Sequence, residues 1–199
     1  MQPGEKAPEY QSALLPGQVK LKDLSGAEGI PDGKLDNYDM VYKGTSDPDF
    51  LFGFNNTLKY KAFDMNIYFY GEINRLRGTS YYESFQGSLI DAMGSNISKL
   101  GLETWHHDYQ NTKTPSAIIS NYGSGDYYTR KISYVRCRNI TLGYVLPLSA
   151  KIVNRARIYA DVNNPFVLTN WTGLDPETDE HQFAYPNVTG ISFGMDITF

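Results

Sequence analysis

Long apolar runs are missing from this 199-residue chain. No stretch approaches the roughly 18 residues that a membrane-crossing helix needs, so helical spans are excluded. Cysteine is nearly missing as well. Cys137 stands alone, which rules out an internal disulfide or a cysteine-based metal cluster. Charge of one sign is not in excess: 18 basic and 22 acidic residues are well mixed, for a net charge of −4. Nothing in that balance marks a nucleic-acid surface. Histidine is scarce, at three residues. Trp105-His106-His107-Asp108 invites a metal or catalytic reading, but adjacent histidines point apart in either a strand or a helix, and no third ligand is evident. No nucleophile–base pair or carboxylate pair stands in a recognisable context, so an enzyme is not expected. The opening MQPGEKAPEYQSALLPGQ lacks the basic start and apolar core of a secretion signal. Export would require the chain to be a downstream piece of a longer precursor.

Aromatic residues and two-residue alternation are what the chain does have, with 16 Tyr, 10 Phe and 2 Trp. In Gly190–Phe199, Ile191, Phe193, Met195, Ile197 and Phe199 alternate with small or polar residues, the pattern of a strand with one apolar and one wet face. Phe50, Phe52, Phe54, Leu58 and Tyr60 do the same. After a tight connection near Lys61-Ala62, so do Phe63, Met65, Ile67, Phe69 and Ile73. Within 132–146, Ile140, Leu142, Tyr144 and Leu146 share one phase while Val135 and Cys137 hold the other. A β-bulge near Arg138-Asn139 reconciles them and makes Cys137 a small apolar surface residue. Ile158, Ala160 and Val162 begin another strand, which runs on toward Phe166 and Leu168.

Five long strands result, joined by connections that run short, long, short, long. That is the rhythm of outer-membrane barrels, whose periplasmic turns are short and extracellular loops longer, and whose strands take about 9–11 residues. The expected fold is therefore all-β, with antiparallel strands forming the C-terminal part of a transmembrane β-barrel with long extracellular loops. Residues 1–49 read as an extracellular loop segment with an Asp-rich turn, and 50–199 as the last five barrel strands with loops 75–128 and 169–187. The rival is a soluble β-sandwich carbohydrate-binding module, burying the same apolar faces against each other.

The loops carry the candidate sites. Asp23, Ser25, Asp32, Asp36 and Asp39 surround a turn glycine, Gly33, and offer hard oxygen ligands for a weak calcium-type site. Ala27 stands at a usual ligand position and the final Glu is absent, so an Asp/Gly-rich surface turn is the alternative. No other cofactor is expected. Phe85, Leu89, Met93, Ile97 and Leu100 recur at helical spacing, with a break at Gly94. Asn-x-Ser/Thr triplets at Asn55, Asn96, Asn139, Asn170 and Asn187 are the chance yield of such a composition.

Several stretches carry a family resemblance. Tyr134-Val-Arg-Cys-Arg-Asn-Ile-Thr-Leu-Gly-Tyr-Val-Leu-Pro147 resembles the "YLRLKNITLGYTLP" signature of SusC/RagA-type TonB-dependent outer-membrane transporters. Arg157–Phe166 is similar to that family's "RVYASGQNLF", Gly173–Pro176 to its "GYDPE", and Tyr185–Phe199 to its closing "YPQPRTFTFGLNVTF". Upstream, Pro16–Gly26 is similar to "PGDIKYKDLNG" and Pro48–Phe54 to "PDFTYGFN". The likeness runs in collinear order over residues 16–199. Between Ser25 and Asp32, an insertion containing Ala-Glu-Gly-Ile-Pro splits the family's continuous "DxNGDGxID".

The resemblance implies energised uptake of glycans or peptides across a Bacteroidetes outer membrane. It implies as partners a SusD-like lipoprotein lid, a plug and the remainder of the barrel, outer-membrane lipid, and TonB through an N-terminal part not in this chain. It also implies that Phe199 is an assembly signal. Tyr81, Tyr82, Trp105, Tyr109, Tyr122, Tyr127, Tyr128 and Trp171 become candidates for stacking on sugar faces, with plain loop packing as the alternative. A barrel needs at least eight strands, so five are expected to be inactive alone. The chain then reads as a fragment, a degraded gene or a separately encoded piece.

Overall fold

A computed structural model describes residues 1–78, 102–110, 112, 114–116, 126, 129–148, 152–171, 175–178 and 185–199. The chain divides into two compact units. One comprises Met1–Gly44, Gly78–Arg130 and Glu180–Gln182, the other Thr45–Arg77, Lys131–Asp179 and Phe183–Phe199. Among the described residues, helix is limited to single turns, Glu9–Gln11 and Asn37–Asp39, and a helical pair at 102–103. The helical spacing from Phe85 to Leu100 lies outside the described residues.

The second unit is built on one antiparallel sheet whose strands stand side by side in chain order: β1 (Phe50–Tyr60), β2 (Phe63–Gly78), β3 (Thr129–Leu146), β4 (Arg155–Thr169) and β5 (Gly190–Thr198). β1 and β5 are its edges. The strands run from 9 residues in β5 to 18 in β3. Even the shortest meets the length that crosses a bilayer. The β1–β2 loop has two residues, and Lys61 takes the left-handed φ of 54° that such a tight hairpin demands.

Register builds two faces of opposite character. Directly paired residues share a face. Leu142, Ala160 and Phe193 line up across β3, β4 and β5, as do Tyr144, Ile158 and Met195. On β1 and β2, Phe54 meets Phe69, Leu58 meets Met65, and Tyr60 meets Phe63. Much of this apolar face is open, with Phe193 at 82% exposure and Ile191, Met195, Leu142, Leu58 and Phe54 also exposed. The reverse face pairs Thr57 with Asn66 and Lys59 with Asp64. Farther across, Thr141 pairs with Asp161 and Asp161 with Ser192. Its side chains bond to one another: Asn66 donates to Asn55 and Thr57 at 2.9 Å, and Asn139 and Thr141 donate to Asp161 at 2.6 Å.

The register shifts between Cys137, paired with Phe166, and Asn139, paired with Asn163. That is the irregularity the two hydrophobic phases anticipate. Asn164 and Pro165 face Arg138 alone, and Asn164 adopts a φ of 48°, which asparagine tolerates better than most residues. Cys137 departs from expectation. It is fully buried, at 0% exposure, opposite Phe166 on β4. β2 also runs four residues past Asn74, into what the sequence reads as loop. Thr45–Asp49 supports it there: Leu76 N–H donates to the Thr45 carbonyl and Arg75 Nε to that of Ser46.

Candidate functional site

The densest chemistry lies on the wet face of β2 and β3, where the β4–β5 connection returns to the sheet. Arg136 and Asp175 are each about 3% exposed. One Arg136 Nη reaches both Asp175 oxygens at 2.9 Å, and its Nε reaches Glu177 at 2.9 Å. Arg138 takes the other Glu177 oxygen at 2.8 Å. Arg77 donates to the Glu177 carbonyl, and Asn187 binds both acidic residues, through its N–H to Asp175 and its amide to Glu177. Pro176 between them is fully buried.

The same side of the sheet carries Tyr70, whose hydroxyl donates to Glu72 at 2.9 Å and whose ring lies near Tyr134 and under Arg138. Even-numbered β3 residues before the register shift and odd-numbered ones after it thus share the wet face. Burial pushes the Asp175 carboxyl up, but the N–H groups of Glu177 and Asn187 and the charge of Arg136 outweigh it. Its carboxyl stays below its ordinary range.

A second cluster sits lower on that face. Arg157 on β4 binds Asp64 on β2 through two nitrogens, at 2.9 and 2.6 Å, and Asp196 on β5 at 3.1 Å. β3 lies between β2 and β4, and the guanidinium crosses it over Gly143, where any Cβ would collide with it. Glycine at 143 leaves room for this close approach, and a side chain there would force the guanidinium to shift. The Leu-Gly-Tyr and Arg-Ile-Tyr-Ala stretches of the sequence are the two halves of that crossing.

Neither cluster is among the residues that sequence reasoning selected. The signal was present: arginines at 136 and 138 in a half-apolar strand need anionic partners if buried, and Asp-Pro-Glu is an acidic turn without a stated purpose.

The Asp-rich segment in the first unit is closed by side-chain-to-backbone hydrogen bonds. Asp39 accepts from the N–H groups of Leu24 and Ser25, and its other oxygen accepts from Asp36. Asp36 caps the turn through Tyr38 N–H, Asp32 accepts from Lys34 N–H, and Asp23 accepts from Gly33 N–H at 2.6 Å. Three backbone donors, first that of Asp36, hold the Asp39 carboxyl below its usual range. Among the described residues, no three His, Cys, Asp or Glu side chains converge as a metal-binding group. Asp23 Oδ1 is buried without a hydrogen-bond partner.

The aromatic candidates scatter. Trp105 rests on Gly17 beside a cavity of about 210 Å³ lined also by Gln18, Lys20, Thr112 and Thr114. Tyr109 is exposed, with its ring 5.8 Å from His106, while His107 and Asp108 are open to solvent. Trp171 is only 7% exposed and so presents no open ring face to a ligand. Tyr81, Tyr82, Tyr122, Tyr127 and Tyr128 lie outside the described residues. Phe199 follows β5 and is exposed.

No family model matches the chain. Individual proteins do. It is 30% identical over 179 residues to the TonB-dependent receptor SusC of Bacteroides thetaiotaomicron, which covers 84% of this chain and 17% of that protein. To the TonB-dependent receptor P3 of Formosa agariphila it is 29% identical over 204 residues, covering 92% of this chain and 19% of P3. The chain spans less than a fifth of the length of these two curated relatives. Among solved structures, that of the RagAB peptide transporter superposes with a TM-score of 0.70 at 22% identity. The superposition covers 90% of this chain and 20% of that one.

Proposed function

We infer, from the kinship of this chain with the SusC/RagA-type TonB-dependent receptors, that it supplies barrel wall to an outer-membrane receptor for glycan or peptide uptake. The observation that carries this reading is the uncovered apolar face running across all five strands. In water it would need a second sheet over it, as in the sandwich rival. Among the described residues there is no second sheet. Lipid is the solvent that such a face fits, and the hydrogen-bonded reverse face then lines the lumen.

On this reading the chain catalyses no reaction and transports nothing alone. It acts with the remaining strands and plug, with a lipoprotein lid of the SusD kind, and with TonB through another part of the receptor. The 75–128 and 169–187 connections leave from the outer side and Phe199 closes the last strand as an assembly signal. Deleting residues 81–127 from the intact receptor should impair uptake or lid binding while heat-resistant barrel still accumulates in the membrane. Unchanged uptake and lid binding would remove this loop from the function.

A second reading concerns calcium, favoured by the unpartnered Asp23 oxygen within the Asp-rich loop. The loop already closes on its own backbone caps, so an ion would add to a formed turn and draw on carbonyls and water beside Asp23, Ser25, Asp32, Asp36 and Asp39. Binding should be weak. Calorimetric calcium titrations of the intact receptor should lose their heat in Asp36→Ala, and identical titrations would dismiss the site.

A further inference from the structure

The apolar face does not by itself fix how far β5 slides along β4. A slip of two residues keeps every side chain on its face and every peptide group aimed at its neighbour. Ile191, Phe193, Met195 and Ile197 would only exchange places against Ile158, Ala160 and Val162, apolar against apolar. The connection from 170 to 189 is too long to set register as a two-residue turn does. The wet face is less permissive. Tyr159 pairs with Gly194, and its ring and hydroxyl occupy the space where a Cβ at 194 would stand. On the β3 side of Tyr159, Arg157 fills the matching space over Gly143, with its guanidinium 5.1 Å from the Tyr159 ring centre. With that side taken, the ring lies toward β5.

We propose that the Tyr159 ring, seated on Gly194, selects the register of β5. A slip of two residues in either direction puts Ser192 or Asp196 under the ring, where a Cβ forces it off. The same slip separates Arg157 from Asp196, its direct partner in the register. Asp196 is largely exposed, so that ion pair adds little and the seat carries the choice. Glycine weakens a strand unless a neighbouring side chain covers it, and here the covering and the choosing are one contact. Any strand that meets the other margin of β5 is thereby offered a single register. The rival determinant is the entry to β5. There Asn187 is bound to Asp175 and Glu177, and Thr189 donates to the Asn164 carbonyl at 2.8 Å.

The test moves the seat. The intact receptor, with Cys137→Ser and no other cysteine, carries Ala160→Cys together with Phe193→Cys, Ile191→Cys or Met195→Cys. Disulfides formed in the membrane under mild oxidation are quantified by peptide mass spectrometry. Only directly opposite residues come within disulfide reach, since diagonal neighbours stand roughly 7–8 Å apart. The parent should join 160 to 193. Ser192→Gly combined with Gly194→Ser shifts the seat by two positions at unchanged composition. The 160–191 disulfide should then rise about tenfold relative to 160–193, the change that about 1.4 kcal/mol produces. Tyr159→Ala should raise both 160–191 and 160–195 against 160–193, and it serves if the exchanged receptor fails to insert. A parent-like ratio in either variant overturns the seat and leaves the register to the entry anchors. The disulfides report register whether or not the apolar face meets lipid, so failure here is distinct from failure of the barrel reading.

Discussion

Arg136→Met is expected to destabilise the folded receptor by roughly 3–5 kcal/mol, the cost of leaving a buried carboxylate without its partner. The side chain makes three charge-assisted bonds, two to Asp175 and one to Glu177, and both Arg136 and Asp175 are shut off from water. The effect should not grow with the number of bonds lost, because much of it is the penalty on the anions left behind. Combining Arg136→Met with Asp175→Leu and Glu177→Leu should therefore recover a large part of the loss. Urea unfolding of the detergent-solubilised receptor, followed by the loss of its heat-resistant band, measures the parent and both variants. Acid should mimic the lesion. The folded Asp175 carboxyl lies below its unfolded value of about 3.9, so its contribution is complete at neutral pH. That contribution fades as pH falls through the folded value. Arg136→Met removes one cause of the depression, so its stability should depend less on pH in that range. An Arg136→Met receptor as stable as the parent would mean that the cluster does not hold the connection.

Met195→Arg is the second large effect, at roughly 2–4 kcal/mol for an arginine on the lipid face near mid-membrane. Met195 is exposed on the apolar side, paired with Ile158, while Ser192 pairs with Asp161 on the wet side. Ser192→Arg meets a carboxylate and water, and should be close to neutral. The comparison is internal, since both positions lie on one strand three residues apart. Heat-resistant barrel recovered from membranes should fall far more for position 195. Removing Phe199 should act on a different step, slowing insertion in cells more than refolding in detergent. Equal tolerance at 192 and 195 would show that this face meets no lipid.

The strands were legible because their signal is local. Alternation in Phe50–Tyr60 or Gly190–Thr198 needs no knowledge of the rest of the chain, and even the irregularity beside Cys137 announced itself as a change of hydrophobic phase. What was not legible depends on pairs far apart in sequence. Arg136 meets Asp175 across 39 positions and Arg157 meets Asp64 across 93, and no periodicity reports such distances. The resemblance singled out both stretches, Tyr134–Pro147 and Gly173–Pro176, without indicating that they touch. Cys137 and Trp171 were misjudged for a related reason. Exposure on a sheet depends on how far neighbouring side chains reach, and at a loop on whether the loop folds back. The Asp-rich turn shows the converse. Its carboxylates were read as ligands for an ion, yet the partners they take are peptide N–H groups, which every residue but proline carries.

The two outer strands carry a consequence for handling this polypeptide. Among the described residues, β1 and β5 each present an unpaired row of peptide donors and acceptors along an apolar surface, over 11 and 9 residues. Such margins are adhesive: another copy can extend the ladder at either side, and nothing in the geometry stops the addition after one step. Produced apart from complementary strands and without detergent, the segment should grow laterally into ribbons with the 4.7–4.8 Å repeat of stacked strands. Proline in the middle of β1, at Asn56, would stop growth at one margin and leave the other to pair, capping the product at dimers.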